Sequence, residues 1–382
     1  MSRTISPDCS SALLRSRVDA LIQQIDAAQE STLAIGAALR ERVEIRLATE
    51  FNLHRIEVQK LSEAVDATAA TQLWPRLHRL QAELDEVFEE ALALVEGAAV
   101  RDAGLDDGYC RLADALLDEI TRQAPVRWES FTVLGTAESY TRFSRVIRVR
   151  FPSKSFWELP VVAHEHGHFV GPALTIVQGG RTVHPLEDLA ARAQEGDSRH
   201  WAWFHEIFAD VYACYVLGPA YGLTCVFERF DPVAAQLDRP THPAANTRVA
   251  VIDATLKALD EHGDYDLALA AMRQAWQDGT TAAGTAADRG PEEPFASWRE
   301  QSLDLLRAHL PTARYDGEHL VGTGGLRKRL RDGTAGADDA RPIPDLVNLA
   351  WLARIGAADE PARGRIAIGA RSLAEQRVPE VL

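Results

Sequence analysis

The chain has 382 residues, of which 46% are hydrophobic and 25% are charged, and this composition excludes a largely disordered protein. Its 56 acidic and 41 basic side chains give a formal net charge of −15, which disfavours binding to nucleic acid or to an anionic membrane. The length indicates about two to three structural units. The N-terminus lacks the apolar core of a secretory signal, and the run 211–227 is too interrupted by glycine and proline to span a membrane, so we expect a cytoplasmic protein.

The first region, 1–124, is predicted to be helical almost throughout. Its hydrophobic residues recur at spacings of three and four, as in helices that pack at a shallow angle. These residues are Leu14, Val18, Leu21, Ile25 and Ala28 in one segment and Leu77, Leu80, Leu84, Val87, Ala91 and Leu94 in another. The pattern favours an intramolecular helical bundle. The alternative is a coiled coil through which the chain forms a homodimer or binds a partner protein.

The pattern changes near Pro125, after which two strands and a series of helices are predicted. The strands cover 131–134 and 144–151, and in the second one hydrophobic residues alternate with arginines between the two faces. The predicted helices cover 160–171, about 198–218, 246–261, 265–277, 295–309 and 344–356.

These patterns divide the chain into four regions. They are a helical region at 1–124, a mixed region at 125–277, a linker or mobile loop at 278–294 and a C-terminal helical region at 295–382. The predicted fold class is therefore α+β and mostly helical, with a small sheet in the central region and helical regions on both sides of it.

The candidate chemistry lies in the central region, where seven of the 12 histidines fall between positions 164 and 242. The segment 161–170, VVAHEHGHFV, contains the motif HExxH. A spacing of four places His164 and His168 on one helix face, where two imidazoles can bind one Zn²⁺. Glu165 then lies beside the metal and can act as a general base on a water molecule without being a ligand. His166 lies on the other side of the helix, so we expect a packing role for it.

A third ligand is expected from the segment HEIFADVY at 205–212. Glu206 would complete a site of two histidines and one glutamate for one Zn²⁺ per chain, with one position left open. Asp210, four residues later on the same helix face, would accept the ring N–H of a ligand histidine. The surrounding aromatic residues disfavour a solvated acidic face, because a carboxylate in apolar surroundings needs a partner. His184 is the alternative third ligand.

The sequence HEHGH followed by EIFAD resembles the gluzincin metallopeptidases, in which a glutamate ligand on a second helix follows HExxH. The stretch 206–213 is similar to the ImmA/IrrE-like peptidases, and His242-Pro243 with Arg248 is similar to an element beside the active site of the CAAX prenyl protease and HtpX-like branch. The resemblance covers about 160–250 only. It implies a zincin-like catalytic domain and a zinc-dependent peptidase.

Further site residues are expected around this motif. His242 and Tyr212 are candidates for hydrogen bonding to the oxyanion that develops during peptide hydrolysis. Arg248 is expected either to hold the acidic residues of the site or to pack on a helix. The sequence therefore predicts a zinc metallopeptidase that cleaves an intracellular protein or peptide, with Glu165 as its general base. The alternative is a non-catalytic helical interaction protein with a structural metal site, although such sites normally have four protein ligands.

Overall fold

The computed structural model describes residues 7–65, 68, 70–136, 139–141, 145–150, 155–195, 197–285, 292–357 and 359–378. Within these ranges the chain is mostly helical, with one three-stranded and one two-stranded sheet, which confirms the predicted α+β class. Contacts divide the chain into two compact units. One comprises Met1–Cys110 and Glu129–Arg148, and the other comprises Arg111–Trp128 and Val149–Leu382.

The first unit is a helical bundle with a small sheet. Its main elements are α1 (Pro7–Ser31), α2 (Ala37–Ala64), α3 (Ala70–Asp102), β1 (Thr132–Gly135), β2 (Ser139–Thr141) and β3 (Val146–Arg150). The strand order is β1-β3-β2, and β2 pairs with β3 in antiparallel register. The hydrophobic positions of α1 and α3 are buried in one core with Phe51 of α2 and with Phe131 and Val146 near the sheet. Because the predicted seam packs within the chain, the structure favours the bundle over a coiled coil formed through that seam.

The second unit is almost entirely helical, and two of its helices are nearly completely buried. After α4 (Tyr109–Thr121), its elements are α5 (Val161–Ala173), β4 (Ile176–Gln178), β5 (Arg181–Val183), α6 (Pro185–Gln194), α7 (His200–Leu217), α8 (Pro219–Thr224), α9 (Ala245–Leu259), α10 (Asp266–Ala283), α11 (Phe295–His309), α12 (Gly324–Asp332), α13 (Ile343–Ile355) and α14 (Glu360–Glu375). Nearly all of α7 is buried, with α5, α6, α9 and α11 packed against it. None of the described helices is both long and apolar enough to cross a membrane.

The predicted linker at 278–294 is wrong in its first part. Helix α10 continues to Ala283 because Thr280 is fully buried and its hydroxyl donates to the Trp276 carbonyl, 2.8 Å away. The helix ends at Gly284, whose φ of +71° suits glycine. Residues 286–291 of the predicted linker lie outside the described residues.

The boundaries at 125 and 295 also differ from the structure. Residues 129–148 belong to the first unit, because hydrophobic side chains of this segment such as Val133 complete the core of the bundle. The C-terminal helices belong to the same unit as α5 and α7, since α11 packs on α7 and α13 packs on α8. Parts of the predicted second strand, 144 and 151, lie outside the described residues.

Candidate metal centre

The two helices that carry the motif residues, α5 and α7, approach each other closely at a glycine. A Cβ atom on Gly167 of α5 would lie 2.9 Å from the Cα of Ala209 in α7, which is closer than real side chains allow. On the same helix, Gly171 leaves room for Leu186 of α6 and Phe208 of α7. The small residues of the motif helix therefore set the distance at which α7 presents its own polar side chains.

This packing brings His164, His168 and Glu206 together. Their ligand atoms all lie within 4.8 Å of one another, and no other group of His, Cys, Asp or Glu in the described part of the chain meets this criterion. His164 Nε2 lies 3.4 Å from Glu206 Oε2, and His168 Nε2 lies 3.3 Å from Glu206 Oε1. The two imidazole rings stand almost perpendicular, with centroids 4.9 Å apart. Two ring nitrogens and one carboxylate thus converge on a common point.

The electrostatics of the three residues favour a bound cation. Burial alone would favour the uncharged imidazole, but hydrogen bonds and charges from Asp210 and Glu206 outweigh it and raise the pKa of His164 to about 9. Burial would likewise raise the pKa of Glu206, but His168 and His164 hold it well below its usual range. The carboxylate is therefore ionised, and a metal ion would replace the additional proton that His164 otherwise binds.

The residues present fit a divalent metal ion. Glu206 Oε2 is buried and makes no hydrogen bond of good geometry within the described residues, although three side-chain nitrogens lie 3.3 to 3.7 Å from it. A bound cation would satisfy this buried carboxylate oxygen. Two imidazoles and one carboxylate form a donor set that zinc uses in catalytic sites, and three protein ligands leave one coordination position open.

Behind His164 lies a fully buried acid, Asp210, at 3.1 Å from the ring Nδ1. Arg248 of α9 donates to both oxygens of Asp210, at 2.6 Å from Nη2 and 2.8 Å from Nε. Although burial disfavours the charge, Arg248 and His164 lower the pKa of Asp210 to about 2. An ionised Asp210 keeps the proton of a neutral His164 on Nδ1, so that Nε2 is directed toward Glu206.

Tyr221 of α8 is a member of this group that the sequence did not indicate. Its hydroxyl donates to Asp210 Oδ1 at 2.5 Å and lies 3.0 Å from His164 Nδ1. No metal-ligand motif contains this tyrosine. The available signal was the Gly218-Pro219 pair at the end of α7, which predicts a chain reversal but does not predict which side chain returns to the site.

His242 lies on the solvent side of the centre, with 43% of its side chain exposed. Its Nε2 is 3.3 Å from Glu206 Oε2, and its Nδ1 is 2.7 Å from the hydroxyl of Thr241. Since Nε2 faces a carboxylate, the neutral ring carries its proton there and Nδ1 accepts from Thr241. Among the described residues, His242 is not part of the group whose ligand atoms lie within 4.8 Å of one another.

The structure does not bring every predicted residue to this point. The Tyr212 hydroxyl is bonded to His166 Nδ1 at 2.8 Å, and both side chains are buried on the side of α5 away from His164 and His168. The Tyr212 hydroxyl is therefore not directed at the ligand group, where the predicted oxyanion donor would have to lie. It is committed to a histidine whose pKa burial lowers to about 3.

Two further predictions concern residues near the motif. His184 is exposed, contacts the Pro172 carbonyl at 3.4 Å and is absent from the ligand group, so Glu206 is the better third ligand. Glu165 is buried on α5 between the two histidines in sequence.

Searches of protein-family models, of curated proteins and of solved structures gave no match to this chain. A functional assignment must therefore be argued from these residues.

Proposed function

We propose that the chain is a zinc-dependent metallopeptidase of the gluzincin type, which hydrolyses peptide bonds of a protein or peptide. The observation that carries this proposal is the three-residue ligand set of His164, His168 and Glu206 on two tightly packed helices. A structural zinc site normally has four protein ligands, whereas a catalytic site has three and an open position. The set therefore supports an enzyme over the alternative of a helical interaction protein with a structural metal.

Zn²⁺ at this centre would supply Lewis-acid activation of a water molecule and of the substrate carbonyl. The two-histidine, one-carboxylate set also suits Fe(II), but only the hydrolytic role gives a function to Glu165 next to His164. Glu165 accepts the proton of the attacking water and transfers it to the leaving nitrogen. His242 donates its Nε2–H to the developing oxyanion, because it is beside Glu206 and partly exposed.

The other residues hold the ligands in place. Asp210 keeps the proton on His164 Nδ1, and Arg248 neutralises the buried charge of Asp210. Arg248 Nη1 also lies 3.7 Å from Glu206 Oε2, so this one guanidinium balances both acids of α7. Removing it would leave two carboxylates buried at short range, which is unfavourable.

The variant Glu165→Gln tests the proposal. It should keep zinc content, helix content and melting temperature, yet reduce cleavage of a degenerate fluorogenic peptide library by about 10²- to 10⁴-fold, the usual contribution of a general base. Glu195→Gln, at an exposed position just after α6, serves as the control and should cleave like the wild type. If the zinc-loaded wild type cleaves no peptide of the library, or if Glu165→Gln is as active as the wild type, the peptidase proposal is wrong.

A further inference from the structure

The metal centre is connected to the C-terminal helices through the turn between α7 and α8. Gly218 in this turn has φ +62° and ψ −146°, a conformation that favours glycine, and a Cβ there would lie 2.5 Å from the Tyr315 ring. The turn reverses the chain, so that α8 returns along the end of α7. This reversal places Tyr221 beside Asp210, which lies 11 positions earlier in the sequence.

A buried asparagine of α13 fixes the same turn. Asn348 donates from Nδ2 to the Leu217 carbonyl at 2.7 Å and accepts at Oδ1 from the Ala220 amide at 2.8 Å. The side chain is fully buried and thus satisfies backbone groups on both sides of Gly218. The position of Tyr221 is therefore determined by packing rather than by a flexible loop.

The Tyr221 hydroxyl stands between two functional groups of the site. It donates to Asp210 Oδ1 at 2.5 Å and lies 3.0 Å from His164 Nδ1, which is itself 3.1 Å from the same Asp210 oxygen. The Tyr221 and His164 rings are nearly parallel, at 10°, with centroids 5.9 Å apart. Tyr221 is almost fully buried, so water does not compete for its hydroxyl.

We infer that Tyr221 is a positioning residue of the metal centre, which orients His164 by accepting from its Nδ1–H while donating to Asp210. The inference rests on the metal-binding part of the proposed function and not on peptide cleavage. Three atoms, Asp210 Oδ1, Tyr221 Oη and His164 Nδ1, lie within 3.1 Å of one another, and the Tyr221 hydroxyl is hydrogen-bonded to the other two. With both acceptors fixed, the ring of His164 has one orientation, and its Nε2 is held toward Glu206.

A matched control exists on the opposite face of α5. Tyr212 is also a buried tyrosine bonded to a buried histidine of the same helix, but its partner, His166, does not belong to the ligand group. Tyr212→Phe and Tyr221→Phe thus each remove one buried tyrosine hydroxyl bonded to a histidine of α5, and only the Tyr221 hydroxyl also donates to a carboxylate. A merely structural role of Tyr221 predicts a loss of stability without a loss of metal affinity in both variants.

The test measures metal binding by the full-length chain without any substrate. Tyr221→Phe should lower Zn²⁺ affinity about 10-fold or more in competition with a chromophoric chelator, and should shift the visible absorption bands of the Co²⁺ form. Tyr212→Phe should leave both unchanged, while each variant lowers the melting temperature of the metal-free protein. Unchanged Zn²⁺ affinity in Tyr221→Phe, or an equal loss in Tyr212→Phe, overturns the inference.

A measurement on the wild type covers the case in which Tyr221→Phe does not fold. NMR of the zinc-loaded protein with labelled histidine and tyrosine should show a proton on His164 Nδ1 and a slowly exchanging hydroxyl proton on Tyr221. A rapidly exchanging Tyr221 hydroxyl contradicts the inference. Tight zinc binding with an unaffected Tyr221→Phe variant contradicts the inference alone, whereas a wild type that binds no metal contradicts the proposed function as well.

Discussion

At the scale of single residues, the contacts around Glu206 determine what the centre can do. Two ligand histidines and His242 all direct Nε2 toward its carboxylate, at 3.3 to 3.4 Å. His164 and Glu206 are buried, whereas His242 is partly exposed. Two of the three candidate ligands are thus buried, and the exposed side of the centre carries His168 in part and His242.

The role of His242 is tested by His242→Leu, which removes the side-chain N–H donor. The variant should retain metal, because His242 is outside the ligand group, but it should lower kcat about 10²-fold, as removal of an oxyanion donor does. The lost hydrogen bond would stabilise the transition state and not the bound metal. Zinc analysis together with kcat and KM on the cleaved library peptide measures this. Loss of zinc from His242→Leu would instead identify a fourth ligand and a closed, structural site.

Individual candidate ligands could be predicted from the sequence because two residues spaced four apart lie on the same face of a helix. This applies to the pair His164 and His168 and to the pair Glu206 and Asp210. Tyr221 could not be predicted, since its place depends on a chain reversal fixed by a distant asparagine, Asn348. Tyr212 was predicted from its closeness to Glu206 in the sequence. That closeness does not determine which residues of the adjacent helix its side chain contacts, and in the structure the contact is with His166.

At the scale of secondary-structure elements, the centre depends on how closely α5 and α7 pack. Gly167 meets the backbone of Ala209, and the two helices carry all three ligand residues. A larger residue at this position would push α7 outward and increase the distance between Glu206 and the two histidines. A change in the distance between α5 and α7 should therefore also change the metal affinity.

Gly167→Ala tests this coupling. The added methyl group should destabilise the protein by about 1 to 3 kcal/mol, because overpacking displaces a helix, and it should weaken zinc binding as well. The control is Gly364→Ala in α14, where a Cβ would meet nothing within 4 Å and the gain in helix propensity should stabilise by up to about 1 kcal/mol. Urea unfolding and chelator competition measure the two effects. If Gly167→Ala and Gly364→Ala had the same stability and the same zinc affinity, the packing of α5 on α7 would not control metal binding.

Helix positions followed well from hydrophobic spacing, and α11 has the predicted bounds, 295–309. The predicted helix at 265–277 ended too early, because Thr and Gly residues after 277 have low helix propensity but are held by tertiary contacts. One such contact joins the Thr285 hydroxyl to the Pro232 carbonyl at 2.9 Å. Helix propensities describe single residues and their sequence neighbours, so they do not include the stabilisation from such tertiary contacts.

At the scale of the whole molecule, the assignment of segments to units was the least predictable feature. The sequence pattern places residues 129–148 with the motif region, yet hydrophobic side chains of this segment complete the bundle core. Gly97 allows this, since a Cβ there would lie 2.7 Å from the Leu134 carbonyl oxygen. Such contacts between distant segments leave no periodic pattern in the sequence.

The bundle unit should respond to pH through Glu90 of α3. Burial raises its pKa to about 7, with Glu50 and Glu86 adding to the effect and Arg148 opposing it. The folded state therefore holds the proton more tightly than the unfolded state, so the stabilising contribution is complete below about pH 4.5 and is lost as the pH rises through about 7.

Glu90→Gln should remove this dependence, since glutamine is neutral at every pH. At about pH 8 the variant should be more stable than the wild type by about 1 kcal/mol, a value reduced for the partial exposure of the side chain, and at about pH 4.5 the two should be equal. Circular dichroism in urea at both pH values measures the difference, and Glu89→Gln at an exposed neighbouring position is the control. If the difference in stability between Glu90→Gln and the wild type were the same at both pH values, the pKa of Glu90 would not be raised.

The central claim is that His164, His168 and Glu206 form one metal centre, and the zinc content of purified variants tests it most directly. Elemental analysis of the full-length wild type should give about one zinc per chain. His168→Ala and Glu206→Gln should each lose the metal, whereas His184→Ala should retain it because His184 is exposed and outside the ligand group. A wild type that takes up no zinc, or a His168→Ala variant with a full complement, would contradict the account.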